Sequence, residues 1–442
     1  MLTKKSAKIV VAIVLSAALL AAATVSFIIF SVPKDNADAA ISAASSFNYL
    51  SNGAKYFYSN SNGSVNSVTV NSSAAKGSQS NPHVIHSSNQ WIFFSNLINA
   101  NNSSFNSSSV FFFIDNDLDF AGNSLNPVGS SAAGFKATLF GGKHSFKNAR
   151  FYAVNDTANS AISVSGMFYF LNEAKIYDLS IASSCVYSYA SNRTTIAGTI
   201  AGYADHTNLI NCSSFANITV NNGGQSSGNL TIRIGGLVGQ SNYPINFYLC
   251  TYKGTITETA FNSSTTSCTD NNTQLGGLVG LIQKNVIFDK CFVDANIVAH
   301  GGGLNIGGIF GFINAKDLTV KMTNNMVKLK ASADGITNSS DIWSLGYGWT
   351  AAAGSTLSNT YIVSSHGGAF PGATFTSSSN IVTNFAMTNA TNTGSEKGVY
   401  EKAMTNSNLT SFLDFLPDGT PVPKFAPFFP LFSLGAIYLA GL

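Results

Sequence analysis

The sequence predicts an all-β chain: a right-handed single-stranded parallel β-helix, a solenoid with an N-terminal capping helix, preceded by a signal peptide or a membrane anchor helix. Two observations carry the solenoid. The first is a recurring six-residue unit, Ile234-Gly235-Gly236-Leu237-Val238-Gly239, repeated as Leu275-Gly276-Gly277-Leu278-Val279-Gly280 and Ile306-Gly307-Gly308-Ile309-Phe310-Gly311. Looser copies are Ile196-Ala197-Gly198-Thr199-Ile200-Ala201 and Val164-Ser165-Gly166-Met167-Phe168-Tyr169, with a worn last copy at Leu345-Gly346-Tyr347-Gly348. The second is a further register: Cys212, Cys250 and Cys291 each lie sixteen residues beyond Ile196, Ile234 and Leu275. Met322 and Tyr361 have the same offset from Ile306 and Leu345.

The leading aliphatic residues are 32, 38, 41, 31 and 39 residues apart. Self-similarity at such a period marks a repeat architecture, and its unevenness puts the length variation in loops. Within each unit the first, third and fifth positions read aliphatic, Gly, then aliphatic or Phe, which is the period of a strand. A glycine fixed at one strand position (Gly198, Gly236, Gly277, Gly308) implies backbones stacked where no side chain fits. The Cys212, Cys250 and Cys291 side chains would then form one column, about 4.8 Å apart from turn to turn. Beyond it each repeat continues with a short β-branched run, such as Ala216-Asn217-Ile218-Thr219-Val220 or Ala295-Asn296-Ile297-Val298, suited to a further strand.

The Gly-Gly-Leu-Val-Gly units resemble the GLUG motif of bacterial and some protist surface proteins. Upstream, Gly77-Ser78-Gln79-Ser80-Asn81-Pro82-His83-Val84-Ile85 and Ile114-Asp115-Asn116-Asp117-Leu118-Asp119-Phe120 resemble that family's lead-in and first strand. Residues 135–146 resemble its F-x-G-x-hydrophobic-D-G-x-G-H-x-I segment, with Ala137 and Gly141 in place of the usual Gly and Asp. Asp418-Gly419-Thr420-Pro421-Val422-Pro423 resembles its closing turn. The likeness spans roughly residues 77–424. It implies a β-helix and a surface location, and it names no activity, because such repeats occur in adhesins, in accessory regions of large proteases and in many unassigned proteins.

In chain order, residues 1–39 carry an export signal. Lys4, Lys5 and Lys8 precede the uncharged apolar run Ile9 to Phe30, long enough to span a bilayer, and Ala37-Asp38-Ala39 fits a cleavage site. The protein is therefore expected outside the cell or at its surface, membrane-anchored if Ile9–Phe30 is not cleaved. Residues 40–109 form a lead-in and cap. Asn52-Gly53 suits a hairpin turn within Tyr49 to Phe57. A helix capped by Ser87 or Ser88 puts Trp91, Phe94, Leu97 and Ile98 on one face, able to cover the open first turn. Residues 110–365 form the β-helix, with Val110 to Ile114 as its first buried strand. Residues 366–424 supply C-terminal turns and a cap. The uncharged tail 425–442 contains Pro427, Pro430 and Gly435, and reads as a terminal cap, then as membrane contact, then as a removed anchor signal.

Charged residues make up 10% of the chain and net charge is +3, so no clustered basic face points to nucleic acid. The cysteines are odd in number and lack C-x-x-C, and their equal offsets favour an apolar ladder of buried thiols over a metal or redox site. Asp115, Asp117 and Asp119 lack the Gly and Glu of a calcium loop and read as one solvated strand face or turn. No His-Glu-x-x-His, nucleophile elbow or phosphate loop is present. In the repeats the charges (Asp178, Asp205, Arg233, Glu258, Asp289, Lys290, Asp294) recur at no common offset. No catalytic residue, cofactor or metal site is therefore assigned. About fifteen N-x-[ST] sequons are present. Trp343, Tyr347 and Trp349 form an aromatic patch that either packs on the last turns or stacks on sugar rings.

The leading expectation is a non-catalytic, adhesin-like surface protein contacting glycans or host or cell-surface proteins. The rival is a polysaccharide-degrading β-helix lyase or glycosidase, which needs acids and bases gathered on one face. An ice-binding face is a third reading, and requires a regular Thr array around Thr255 and Thr257.

Overall fold

The computed structural model describes residues 45–364, apart from 157–158, 160, 191–193, 223–230, 261–272, 300–303, 315–317, 334–341, 344, 348–354 and 359, together with 378–379, 413–415 and 421–423. These belong to one compact unit, Ile41–Leu442. Residues 1–39, where an export signal is expected, the tail 425–442 and Trp349 lie outside the described residues.

Strands form where the chain alternates or runs apolar. Along Phe292–Ala299 the buried residues Val293, Ala295, Ile297 and Ala299 alternate with half-buried Asp294, Asn296 and Val298. Such strands are mostly too short to stand alone. They persist because each pairs in parallel with its counterpart one turn later, in four rows. Sheet I stacks Ile162–Ser165, Thr194–Gly198, Ile232–Gly235, Thr273–Gly276, Leu304–Gly307 and Ile342–Trp343. Sheet II stacks Phe168–Asn172, Ala201–Asp205, Val238–Ser241, Val279–Ile282 and Phe310–Ile313. Sheet III includes Lys175–Tyr177, Thr207–Ile210, Ile245–Tyr248, Val286–Asp289 and Val320–Thr323, and sheet IV the long strands Thr251–Ala260, Phe292–Ala299 and Met326–Ala333. The chain visits the sheets in this order and repeats, so it coils. Side chains at one register form columns inside, as in Ile176, Leu209, Phe247, Phe288, Met322 and Leu357, all fully buried. Phe247 and Phe288 stack at 5.1 Å. Each such side chain contributes roughly 1.5–3 kcal/mol of burial.

The register corrects the sequence alignment in three places. Ala197, not Ile196, pairs with Ile234, so Gly198 stands in the column of Gly235, Gly276 and Gly307. Thr199 therefore takes the place of Gly236, Gly277 and Gly308. The last copy begins at Ile342, paired with Ile306, three residues before Leu345. The cysteine column runs Leu179, Cys212, Cys250, Cys291, Asn325 and Thr360, because Ser180, Ser213, Thr251, Phe292, Met326 and Tyr361 pair in turn. Met322 belongs instead to the Phe288 column, and Tyr361 follows the cysteine position by one.

Between sheets III and IV the chain turns through one left-handed residue per turn: Asp178, Asn211, Leu249, Lys290 and Asn324, with φ of 52, 53, 58, 57 and 57°. Their backbone N–H groups donate to Ile210, Tyr248, Asp289, Thr323 and Ser358 of the following turn, which orders the corner as a ladder. Asp and Asn tolerate this conformation better than Leu or Lys do.

At the N-terminal end, strands β1 (Lys55–Ser59) and β2 (Val65–Thr69) form a hairpin. Asn52-Gly53 makes a turn just before it, and the hairpin's own loop is Asn60 to Ser64. Strand β3 (His83–Ile85) begins sheet III and precedes β4 (Phe111–Ile114), so the first strand lies earlier than Val110. Helix α1 (Ser88–Asn99) follows Ser87, whose hydroxyl accepts the Gln90 N–H. Its Trp91 meets Phe146 at 4.6 Å and Phe94 meets Phe112 at 4.8 Å, filling the core at this end with rings. The hairpin lies on sheet III, with Tyr56 on Phe113 and Tyr58 on Phe140 and Tyr177. Buried Asp178 fastens it by accepting the Ser59 N–H (2.7 Å) and hydroxyl, and also the Asn211 amide.

Two outcomes follow. A Cβ at Gly277 would strike the Gly308 carbonyl and the Val293 side chain, whereas Gly53 has open space around it and φ +78°. Gly277→Ala is expected to cost about 3 kcal/mol or more and Gly53→Ala about 1 kcal/mol, read from thermal or denaturant midpoints. Burial holds Asp178 above the ordinary carboxylate value of 3.8. The folded state thus binds that proton more tightly than the unfolded chain. Its stabilising effect is complete below 3.8 and is lost as pH rises through the raised value. Asp178→Asn should flatten this part of the pH–stability curve, while Asp178→Ala should expose the Asn60–Ser64 loop to limited proteolysis.

Candidate functional site

The seam between sheets I and II brings together a row of aromatic side chains and the charged residues Arg233 and Asp205. Sheet I contributes one row: Val164, Ile196, Arg233, Gln274 and Asn305. Sheet II contributes another: Phe170, Tyr203, Gln240, Leu281, Phe312 and Tyr347. At one turn per step of about 4.8 Å, the second row is roughly 24 Å long. The rows meet because glycines on sheet II leave room. A Cβ at Gly202 would strike Val164, and one at Gly239 would strike Ile196 and the Ala197 backbone.

Two of the three sequence-predicted aromatics lie here. Trp343 and Tyr347 are half-buried with ring centroids 6.4 Å apart, and Tyr347 stacks on Phe312 at 5.8 Å with 24° between planes. The Trp343 indole N–H is buried without a hydrogen-bond partner. Phe170 and Tyr203 continue the aromatic row at its other end, 6.3 Å apart.

Midway, the Arg233 guanidinium crosses the seam and donates through Nη1 to Gln240 Oε1; Gln240 then donates to Asn242. Arg233 Nε is buried and has no partner. Burial lowers the Arg233 pKa, and Tyr203 alone opposes that shift. Burial pushes the Tyr203 phenol up to about 12, against the pull of Arg233 and with Asp156 and Asp205 adding to the rise. Asp205 is held above the usual carboxylate range, first by burial, while it accepts the Asn242 and Tyr243 N–H groups (2.7 and 3.2 Å) and so fixes that turn. Asp156 accepts the Asn159 backbone N–H at 3.2 Å. Beside this, exposed His206 stacks on Tyr243 at 4.7 Å.

Sequence spacing did not join Arg233 to Gln240 or Tyr203. A signal existed: the residues just before Ile234, Leu275 and Ile306 are Arg233, Gln274 and Asn305, polar each time.

The cysteine column is interior. The Cys212, Cys250 and Cys291 thiols donate to the carbonyls of Ile176, Leu209 and Phe247, one column of the preceding turns, at 3.4, 3.3 and 3.5 Å. Asn325 does the same towards Phe288 at 2.9 Å. Burial raises the Cys212 and Cys250 pKa values, so thiolate is suppressed. Asp115, Asp117 and Asp119 do not share one strand face. Asp115 meets His86, Asp117 meets Lys147 and the Ser145 N–H, and Asp119 meets Asn148. Among the described residues no three His, Cys, Asp or Glu side chains gather in a way that could hold a metal ion, and no helix is long and apolar enough to cross a membrane. Thr255 pairs with Asn296, and Thr257 with Thr219 and Val298, so no regular Thr array forms there.

No protein-family model matches the sequence, and no curated protein matches it. Among solved structures, the chain is similar to a "putative immunoglobulin A1 protease" from Bacteroides ovatus. Identity is 15%, the TM-score is 0.45, and the match covers 79% of this chain and 94% of that one.

The described thiols Cys185, Cys212, Cys250 and Cys291 are all buried and unpaired. They should resist alkylation in the native protein and react fully after denaturation, as read by peptide mass spectrometry.

Proposed function

We propose that this chain is an exported, surface-displayed right-handed parallel β-helix with a non-catalytic, adhesin-like role, contacting glycans along the seam between sheets I and II. The observation that carries this reading is the aromatic row Phe170, Tyr203, Phe312 and Tyr347 with Trp343 beside it, half-buried along one line of the coil. Rings set in a fixed row offer flat apolar faces with polar neighbours, the environment a sugar ring uses. The four-row coil of parallel strands supports the β-helix, and the packing of Trp91 and Phe94 supports α1 as its cap. The likeness of the Gly-Gly-Leu-Val-Gly turns to GLUG repeats and the apolar run Ile9 to Phe30 support surface export. In this reading the N-terminal segment is cleaved after Ala39, or retained as the anchor.

The rival, a polysaccharide-degrading enzyme, draws its support from Tyr203, Arg233, Asp156 and Asp205 around one point of the seam. Asp205 already holds two turn amides and Asp156 already holds the Asn159 amide, so each acid has a structural task.

The test is to mix the exported protein with insoluble polysaccharides and cell walls. Retention in the pellet with no new reducing ends or unsaturated sugars in the supernatant is expected. Sugar release would overturn the non-catalytic reading. Tyr347→Ala should weaken retention about tenfold, in line with the loss of one stacking platform.

A further inference from the structure

We propose that the seam takes a carboxylate-bearing polysaccharide, a uronate chain, with Arg233 as the anchor of its negative charge. This rests on the glycan-contact reading above and narrows it to one class of sugar.

The guanidinium of Arg233 is largely withdrawn from water between two sheets, and an amide oxygen of Gln240 is its hydrogen-bond acceptor. Nε lies buried with no acceptor at all. Neighbouring acids do not neutralise it. Asp205 accepts the Asn242 and Tyr243 amides, and Asp156 accepts the Asn159 amide. Even a half-buried cation without a counter-ion is costly to a fold, and the planar fork of arginine matches a carboxylate. A purely structural role at this position needs no charge: Gln274 and Asn305 fill the same row one and two turns on.

The second observation is the company Arg233 keeps. Tyr203 and Phe170 lie along the row on one side, and Phe312 and Tyr347 on the other. Arg233 therefore stands between two aromatic platforms on a line roughly 24 Å long. A short acid needs the cation and no platforms; a neutral glycan needs the platforms and no cation. A polymer of uronates uses both: rings rest on the aromatic faces while one carboxylate reaches the guanidinium.

The decisive measurement is binding of the exported full chain to polygalacturonate and, in parallel, to a neutral glucan and to polyglutamate. Three forms are compared: wild type, Arg233→Gln and Arg233→Lys. Wild type should bind polygalacturonate, weakly or not at all the other two polymers, and less tightly as salt rises. Arg233→Gln should lose tenfold or more of that affinity while melting at the same temperature as wild type or higher. Arg233→Lys should fall between them. Polygalacturonate should raise the wild-type melting temperature and leave that of Arg233→Gln unmoved. Equal uronate binding by wild type and Arg233→Gln overturns the inference. So does preference for neutral glucan, which leaves the glycan-contact reading standing. Binding to polyglutamate alone points to an acidic protein partner and overturns both, as does binding to no polymer.

Discussion

The central turns of this coil pass from sheet I to sheet II through a place with no room for a side chain. A Cβ at Gly235, Gly276 or Gly307 would strike the backbone of its own arc and of the next turn. One at Gly236 or Gly277 would strike the carbonyl of the equivalent glycine one turn on. One at Gly239, Gly280 or Gly311 would strike the sheet I strand of the turn before. Glycine is a poor strand former, so its recurrence at three positions must be offset by what the close approach permits. It permits two sheets to lie against one another by their outer rows. Arg233 can then reach Gln240, and Trp343 can reach Tyr347.

The opposite corner solves a different problem. There the chain needs a left-handed residue at every turn, yet no glycine stands in the ladder of Asp178, Asn211, Leu249, Lys290 and Asn324. Backbone hydrogen bonds from each turn to the next hold the conformation, including at Leu249 and Lys290, where it is least favoured. The side chains that follow point inward as the cysteine column. A thiol is small, packs like a hydrophobe and still donates to a carbonyl. Asn325 meets the same carbonyl row with an amide and also accepts the Cys291 N–H (2.9 Å). The column is thus a chain of inter-turn ties that three thiols and one amide serve alike.

This explains what was legible in the sequence. The repeat showed because in the central turns the steric demand for glycine is strict and local. Strand periodicity showed because inside and outside alternate. The helix Ser88–Asn99 showed through Ser87 and the spacing of Trp91, Phe94 and Ile98. Register was less legible. Ala197 and Thr199 are small enough to stand near glycine positions, so Ile196 passed for Ala197. Trp343 stands where Gly307 would predict a glycine, which hid the copy starting at Ile342. The turn from Ile306 to Asn325 is longer than its predecessors, so Met322 fell by count where Asn325 stands in space. The seam was illegible for a deeper reason: its rows belong to different sheets, and which faces meet depends on tight turns that no linear period records.

Three of the described acids have clear structural tasks, and Arg233 differs from them. In a chain with only 10% charged residues, Asp178 fastens the hairpin, Asp205 fixes the turn at Asn242, and Asp117 ties Lys147 and the Ser145 amide. Each acid accepts from backbone or side-chain donors, which is how a buried or half-buried carboxylate offsets its lost hydration. Arg233 is half-buried, with one neutral acceptor and an idle Nε. A coil that uses glutamine and asparagine at the next two turns of that row has no packing need for a cation there. The charge is better understood by what lies in front of it, a row of half-buried rings on which an anionic polymer can rest, than by the fold behind it.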